Sequence, residues 1–474
     1  MNLLNEVFSS ELKGKHIEGI TCDSRLVKKD YVFFAIEGLE SDGHQFIPQA
    51  IEKGACLILT EKEMTHRLCR KVENIRSLYA KSVYNFWKPS QGYPKLLGVT
   101  GTNGKTTTVF LTHYLLSAFE PTGMASTVEI RYPGKSLQSD QTTYHAEVVA
   151  SLLNQMKQNH AMWAMIEISS HALHQKRLES LEFEGIVLTN ITQDHLDYHG
   201  TLDAYIDAKS EMLSLLGDKG MAHLNADDPL SQRVLKKAKN HRTFSIRQPA
   251  DLWATDIRPE GLGTRFVLTH QGTKNEAFIP LWGEHNVQNV LGVLSLLTTA
   301  GYSLTELIPK LVNFPGVPGR LERIVNEQGI HVFVDYAHTE DGLRRVLSAL
   351  KPLCSGKLLV LFGCGGNRDS HKRPLMAKAV QEFADFVVIT SDNPRHEKPQ
   401  AIAREITQGF SNDFRKQWEL QLDRRKAIKS VLLKARRGDT VLVAGKGHEG
   451  YQVIEDEKIP FSDRLECERV LNYK

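Results

Sequence analysis

Leu96-Leu97-Gly98-Val99-Thr100-Gly101-Thr102-Asn103-Gly104-Lys105-Thr106-Thr107 is the stretch that decides the fold. Leu96 to Thr100 is a short apolar run of strand length, and it passes straight into a tight glycine turn. From Thr106 to Phe119, the residues Val109, Phe110, Leu116 and Phe119 recur at helical spacings. Strand, glycine turn and helix together make an anion cradle, because turn N–H groups and a helix N-terminus present partial positive charge to one point. In such a cradle Lys105 reaches the outer phosphates, and the Thr106 hydroxyl can ligate Mg²⁺. The longer phosphate-loop pattern needs glycine at position 99, which is Val99, so this is the shorter G-x-x-G-K-T form.

Outward from the loop, apolar runs of strand length recur. On the N-terminal side they are Tyr31 to Ile36 and Ala55 to Leu59, with a helical stretch from Gln45 to Lys53 between them. A polar Pro/Gly stretch, Lys88 to Pro94, reads as a linker. After the loop come Trp163 to Ile168 and Ile186 to Thr189. Beyond the hinge composition Pro318-Gly319-Arg320 come Val332 to Asp335, Leu358 to Phe362, Phe386 to Thr390 and Val441 to Ala444. Strands alternating with helices predict an α/β chain with a mainly parallel, helix-covered sheet. The 474 residues exceed one ordinary core, and the breaks predict domains over 1–90, 91–319 and 320–474.

Composition narrows the function classes. With 41% hydrophobic and 24% charged residues the chain reads as an ordinary soluble protein. A net charge of +3 gives no electrostatic reason to expect nucleic acid. The six cysteines contain no C-x-x-C pair, which speaks against a zinc knuckle or disulfide scaffold and predicts a reducing cytoplasm. Met1 to Glu6 lacks the basic-then-apolar pattern of a signal peptide, and no apolar run approaches the roughly 20 residues of a membrane span.

Chemistry-bearing residues gather after strand ends. Glu167 closes an apolar strand just before Ser169-Ser170-His171. Taken alone it reads as an edge carboxylate facing water; a buried strand would end this way to hold a cation. Thr189 to Gly200 carries Asp194, His195, Asp197 and His199 after another strand, where a metal or substrate site is expected. By itself Lys209 reads as a surface helix lysine.

These segments together resemble the Mur ligases, and the resemblance runs over nearly the whole chain. It implies a small α/β UDP-binding unit, a central P-loop ATPase and a C-terminal Rossmann-like domain. Thr100 to Thr107 is similar to the family ATP loop, so Gly101, Thr102, Asn103, Gly104, Lys105, Thr106 and Thr107 are expected to bind ATP. Asn286 and Asn289 resemble the adenine-side asparagines, and Arg320 and Asp335 resemble residues that close over ATP. The resemblance makes Glu167 and His195 Mg²⁺ positions, with Thr106. It makes Lys209 the carbamylated lysine that helps hold a second Mg²⁺. Lys105, Glu167, His195 and Lys209 are the implied catalytic set. Ser24, in Asp23-Ser24-Arg25, falls on the uridine side, and Gln141, Thr142, Thr143, Ser169, Gln175 and Arg177 fall on the muramoyl dipeptide.

Asp392-Asn393-Pro394-Arg395 resembles the motif of members that add meso-diaminopimelate, where arginine grips the extra side-chain carboxylate with two hydrogen bonds. Arg368, Gly445 and Glu449 complete that pocket by resemblance. The implied activity is an ATP-dependent amide ligase in peptidoglycan precursor synthesis. It joins meso-2,6-diaminopimelate to UDP-N-acetylmuramoyl-L-alanyl-D-glutamate through an acyl phosphate, as a cytoplasmic monomer without nucleic-acid partners. The alternatives are a paralogue joining another acid and amine, or a P-loop scaffold without ligase activity. The chain departs from the family pattern at Gln141, Tyr144-His145, Leu39-Glu40-Ser41, His285 and Asn367.

Overall fold

The computed structural model describes residues 16–38, 41–261, 263–414 and 417–472. Met1 to Glu6, and Leu39-Glu40 of the uridine-side departure, lie outside the described residues. The described residues fall into two compact units. The first takes residues up to Lys105, then Leu116–Leu224 and Pro229–Arg242; the second takes Thr106–Leu115, Asn225–Asp228 and the chain from Thr243 onward.

In the first unit an N-terminal sheet runs β1 (Gly19–Thr21), β2 (Tyr31–Ala35), β3 (Leu57–Thr60) and β4 (Cys69–Lys71), in that order and all parallel. Aromatic and β-branched residues fill β2, and four of its five positions are buried. The helix expected from Gln45 to Lys53 starts as a 3₁₀ turn, Gly43–Phe46, and becomes α-helical only over Ile47–Glu52. Pro48 sits in the first α-turn, where its missing N–H costs no intrahelical bond.

The phosphate-loop strand β5 (Lys95–Thr100) lies between β10 (Phe183–Leu188) and β9 (Trp163–Glu167), parallel to both. β11 (Leu216–Asn225) extends one side and β6 (Thr122–Ala125) the other, again parallel. β9 is buried throughout and β10 everywhere except Glu184, which is why β9 and the Ile186–Leu188 end of β10 read as apolar runs. Beyond β6 the direction changes. β7 (Glu129–Tyr132) and β8 (Lys135–Gln138) form an antiparallel meander that turns at Gly134, φ +77°.

The second unit contains a further run, β12 (His241–Ser245), β13 (Leu252–Glu260), β14 (Gly263–His270) and β15 (Thr273–Ile279). β12 and β13 are parallel, and the rest antiparallel. The first unit's central sheet is mixed: its parallel strands carry the phosphate loop, as expected, and the β7–β8 hairpin adds strands that the apolar-run reading does not detect, as do the β13–β15 hairpins within the second unit. Such strands face solvent on one side and alternate polar with apolar residues, so they contain no continuous run.

The C-terminal sheet of this unit runs β16 (Glu322–Ile324), β17 (His331–Asp335), β21 (Thr440–Ala444), β18 (Leu358–Phe362), β19 (Phe386–Ile389) and β20 (Trp418–Leu420). Only β16 is antiparallel. Parallel alignment puts the carboxyl ends of β17, β18, β19 and β21 on one edge, where ligands bind in open α/β sheets. The hinge composition at Pro318-Gly319 forms a tight turn in which Val317 and Arg320 pair. Gly319 has φ +66°, and a Cβ there would stand 2.0 Å from the His448 backbone nitrogen, so only glycine fits.

Arg424 and Asp463 form an ion pair with both side chains 0% exposed. Nε and Nη2 reach the two carboxylate oxygens at 2.7 and 2.6 Å, and Nη2 also donates to the Ala444 carbonyl at 2.9 Å. Removing one charge of a buried pair strands the other. We expect Asp463→Asn to destabilise the chain by ~3 kcal/mol or more, read as a lower urea midpoint for the C-terminal transition.

Candidate functional site

The phosphate loop is fastened to the segment that follows β10. Thr102 N donates to the Asn190 carbonyl at 2.8 Å, and Asn103 N to Asn190 Oδ1 at 3.0 Å. Thr189 Oγ1 donates to the Asn103 carbonyl at 2.6 Å, and Thr192 N to Thr102 Oγ1 at 2.9 Å. Gly101 is pressed so close that a Cβ would lie 2.0 Å from Thr189 Oγ1. The loop is thus shaped before any ligand arrives, and glycine is required for the close approach.

Two lysines converge on one atom of this loop. Lys105 Nζ donates to the Gly101 carbonyl at 3.0 Å and to the Thr102 carbonyl at 2.8 Å. Lys209 Nζ donates to the same Gly101 carbonyl at 2.8 Å. Lys209 is 1% exposed, which corrects the surface-lysine reading of its sequence. The helix Leu202–Ser210 packs Lys209 inward beside Tyr205, whose ring lies 4.7 Å from Nζ. Burial, and then the neighbouring Lys105 charge, hold the Lys209 ammonium well below the usual lysine range. The shift favours the neutral amine over the ammonium.

Glu167 is 1% exposed, so the edge-residue reading does not hold. Thr127 N and Oγ1 stand 2.9 Å from its two carboxylate oxygens. Thr127 Oγ1 is also 3.0 Å from Thr142 Oγ1. Thr143 Oγ1 donates to the Glu167 carbonyl and accepts from Ser169 N. Arg177 Nη1 donates to the Thr143 carbonyl at 2.6 Å, and its Nε and Nη2 are held by Gln175 Oε1. Thr142, Thr143, Glu167, Ser169, Gln175 and Arg177, predicted from distant stretches, thus form one hydrogen-bonded cluster. The Gln141 side chain is exposed beside it.

His195 begins a short helix at φ +51° and is about half exposed, with Nε2 3.5 Å from Asp194 Oδ2. Its ring packs edge-on to His171 at 4.8 Å. Partial burial, first, and the nearby Lys105 charge lower its pKa, which favours the neutral imidazole. Tyr198 was not expected from sequence. Its hydroxyl meets His174 Nδ1 at 2.9 Å and Gln175 Nε2 at 3.0 Å. Thr127 was also missed: nothing marks a threonine forty residues before Glu167 as that carboxylate's partner.

On the N-terminal sheet, Ser24 Oγ donates to Gln49 Oε1 at 2.6 Å, and Lys53 Nζ caps the Ser24 carbonyl at 3.0 Å. His44, absent from the sequence reading, bonds Asp42 through Nδ1, and its buried Nε2 has no partner among the described residues.

In the second unit, Arg320 stacks 4.5 Å over Tyr336, and its Nη2 lies 3.4 Å from Thr106 Oγ1. Asp335 is buried and accepts from Leu321 N and Ala337 N; burial raises its pKa. Asn286 donates to the Trp282 carbonyl, and Asn289 to Asn286 Oδ1. At the edge of the C-terminal sheet, Arg395 has φ +50° and donates from Nη1 to the Gly366 carbonyl at 2.8 Å. A Cβ on Gly365 would sit 3.1 Å from Arg395 Nη1 and 3.9 Å from Arg368 Cγ, so both guanidinium side chains flank one glycine. Asn393 Nδ2 donates to Glu449 Oε2 at 2.9 Å. Gly445, φ +113°, leaves Asp392 Oδ2 3.3 Å from where its Cβ would be. The predicted pocket residues Arg368, Asp392, Asn393, Pro394, Arg395, Gly445 and Glu449 are gathered together. Lys446, buried among them, was not singled out.

Descriptions of the Mur ligase family match three stretches: the catalytic domain over residues 16–84, the middle domain over 99–297 and the glutamate ligase domain over 319–447. A Gloeobacter violaceus protein is 40% identical over 468 residues, covering 96% of this chain and 94% of that one. The chain belongs to the Mur ligase family. The Gloeobacter protein is named UDP-N-acetylmuramoyl-L-alanyl-D-glutamate--2,6-diaminopimelate ligase. So is a Clostridium tetani protein at 38% identity, covering 94% of this chain and 93% of that one. A solved structure bearing the same name is similar with TM-score 0.71 at 32% identity, over 97% of this chain and 95% of that one. The Thermotoga maritima MurF ligase in complex with ADP, at 20% identity and TM-score 0.63, shares the fold. Like the rest of its family, the protein is an ATP-dependent acid–amino-acid ligase, and the family uses ATP and Mg²⁺.

Glu167 fits Mg²⁺ by its chemistry: a buried carboxylate, the oxygen donor this ion takes, oriented by the neutral N–H and hydroxyl of Thr127. Thr127→Val removes one of those donors while keeping shape. We expect the Mg²⁺ concentration for half-maximal phosphate release to rise about tenfold, measured by titrating Mg²⁺ at saturating substrates.

Proposed function

We propose that the protein ligates meso-2,6-diaminopimelate to UDP-N-acetylmuramoyl-L-alanyl-D-glutamate with hydrolysis of ATP to ADP and phosphate, in peptidoglycan precursor synthesis. The observation that carries the choice of amine is the split charge of the pocket around Asp392 to Arg395. Arg395 and Arg368 lie on the Gly365 side, and Asp392 and Glu449 on the other. The distal end of diaminopimelate carries both a carboxylate and an ammonium, and so matches both sides. Lysine lacks the carboxylate and leaves the arginines unpaired.

The first step joins two anions, the γ-carboxylate of D-glutamate and the γ-phosphate of ATP. The carboxylate oxygen attacks phosphorus, ADP leaves, and an acyl phosphate results. The amine then attacks the acyl carbon and phosphate departs. Mg²⁺, when bound, would supply neutralisation of phosphate charge. The chain's part is positioning. Arg177, held by Gln175 and Thr143, offers its guanidinium to the dipeptide carboxylate. Lys105 supplies a cation at the loop. Arg320 and the buried Asp335 bear on the nucleotide, with Asn286 and Asn289 on the adenine side. Ser24 contacts the uridine end.

Lys209 acts as a carbamate. Its neutral amine nitrogen adds to the carbon of CO₂ and releases a proton, and the cation becomes an anion. The depressed pKa supplies the nucleophile, and Lys105, sharing the Gly101 carbonyl, supplies the countercharge. Glu167 and His195, with this carbamate, would hold Mg²⁺. We place the domains at 1–90, 91–319 and 320–474, and the reaction in the cytoplasm. All six cysteines are free, and among the described residues no helix is long and apolar enough to cross a membrane.

Phosphate release with ATP, the UDP-muramoyl dipeptide and a panel of amines tests this reading. Release is expected with meso-diaminopimelate and not with lysine; lysine alone supporting release would refute the role given to Arg395. Lys209→Ala is expected to lose most activity and to regain part of it with a short carboxylic acid. Full activity of the unsupplemented variant would rule out the carbamate.

A further inference from the structure

Lys446 is a cation sealed inside the amine pocket. Its side chain is 0% exposed, and that of Asp392 beside it 8%. Nζ stands 2.8 Å from Glu449 Oε2, 3.0 Å from Asn393 Oδ1 and 3.5 Å from Asp392 Oδ1. Burying an ammonium is costly unless paired partners surround it, so this lysine is held for what it organises.

Its partners are the residues that would meet the substrate. Asn393 Nδ2 also donates to Glu449 Oε2, so both bonds fall on one carboxylate oxygen. Among the described residues no hydrogen bond or ion pair reaches Glu449 Oε1. Asn393 Oδ1 accepts from Lys446 and from Val453 N at 2.9 Å, which leaves that amide fixed in orientation. One lysine therefore aims a carboxylate oxygen and locks the asparagine two positions before Arg395. It also balances only one of two carboxylates. Arg424, the next cation, is spent on Asp463. On this side of the pocket, away from the Arg368 and Arg395 side, Lys446 and the two carboxylates together leave one negative charge, suited to one ammonium.

We propose that Lys446 is the positioning residue of the amine pocket: it orients Glu449 and Asn393 toward the ammonium-bearing end of the incoming diamino acid. The proposal rests on the pocket reading given above. It makes a prediction opposite in sign to a pure charge effect. Removing a cation would tighten ammonium binding if charge count alone mattered; removing an organiser weakens it.

Steady-state kinetics of the full chain separate these. For Lys446→Met we expect the diaminopimelate KM to rise about tenfold or more, while the KM values for ATP and the UDP-muramoyl dipeptide stay within about twofold. Lys446→Gln, which still donates, is expected to fall between wild type and Lys446→Met. In Lys446→Met/Glu449→Gln the two effects should be far from additive, because one acts through the other. An unchanged or lower diaminopimelate KM, an equal rise in all three KM values, or full additivity would overturn the proposal. So would failure of both single variants to fold, since a role confined to the pocket leaves the fold intact. Wild-type protein that releases no phosphate with diaminopimelate would instead refute the pocket reading.

Discussion

The Gly101 carbonyl accepts from two ammonium groups, and much of the first unit's chemistry follows from that shared acceptor. Two like charges on one buried oxygen cannot both persist at ordinary pKa values. Lys209, enclosed beside Lys105, has its pKa pushed well below the usual lysine range, by burial first and then by the Lys105 charge. The glycine that offers the carbonyl must also lie against Thr189, which excludes a side chain there. The parallel pairing of β5 with β10 brings those two strand ends together, so register, loop shape and lysine protonation form one constraint.

The second unit solves a related problem with ion pairs. Arg424, Lys446 and Arg373 are all buried, and each is surrounded by carboxylates or carbonyls. Arg373 meets Glu397 and Glu405 and donates to the Gly365 carbonyl, bracing the loop that carries Arg368. Arg424 does the same for Ala444, just before Gly445. These cations add little net stability compared with apolar packing. What they fix is the placement of loops at the edge of a parallel sheet, which a recognition pocket needs.

Sequence reading succeeded where chemistry is continuous along the chain. The phosphate loop and the strands ending at Glu167 and Asp335 could be found because apolar runs mark buried strands, whereas the Asp392 to Arg395 stretch stood out through its resemblance to a family motif. It failed where partners are distant. Thr127 reaches Glu167 across forty positions, Tyr198 reaches Gln175 across twenty-three, and Lys446 reaches Asn393 across fifty-three. The hairpins of β7–β8 and β13–β15 escaped notice because alternating strands contain no apolar run.

The chain's family resemblance supplied the acid–amine ligase chemistry, and the sequence by itself determined an α/β chain with a phosphate loop and its main apolar strands. It could do so because backbone propensity and glycine requirements are local. Only the tertiary structure decided which of those residues are buried, and hence their charge. Lys209 read as a surface lysine and is enclosed; Glu167 read as an edge carboxylate and is sealed. Burial is set by what packs from elsewhere in the chain, and a charged group's solvation, which governs its protonation and reactivity, follows from that packing.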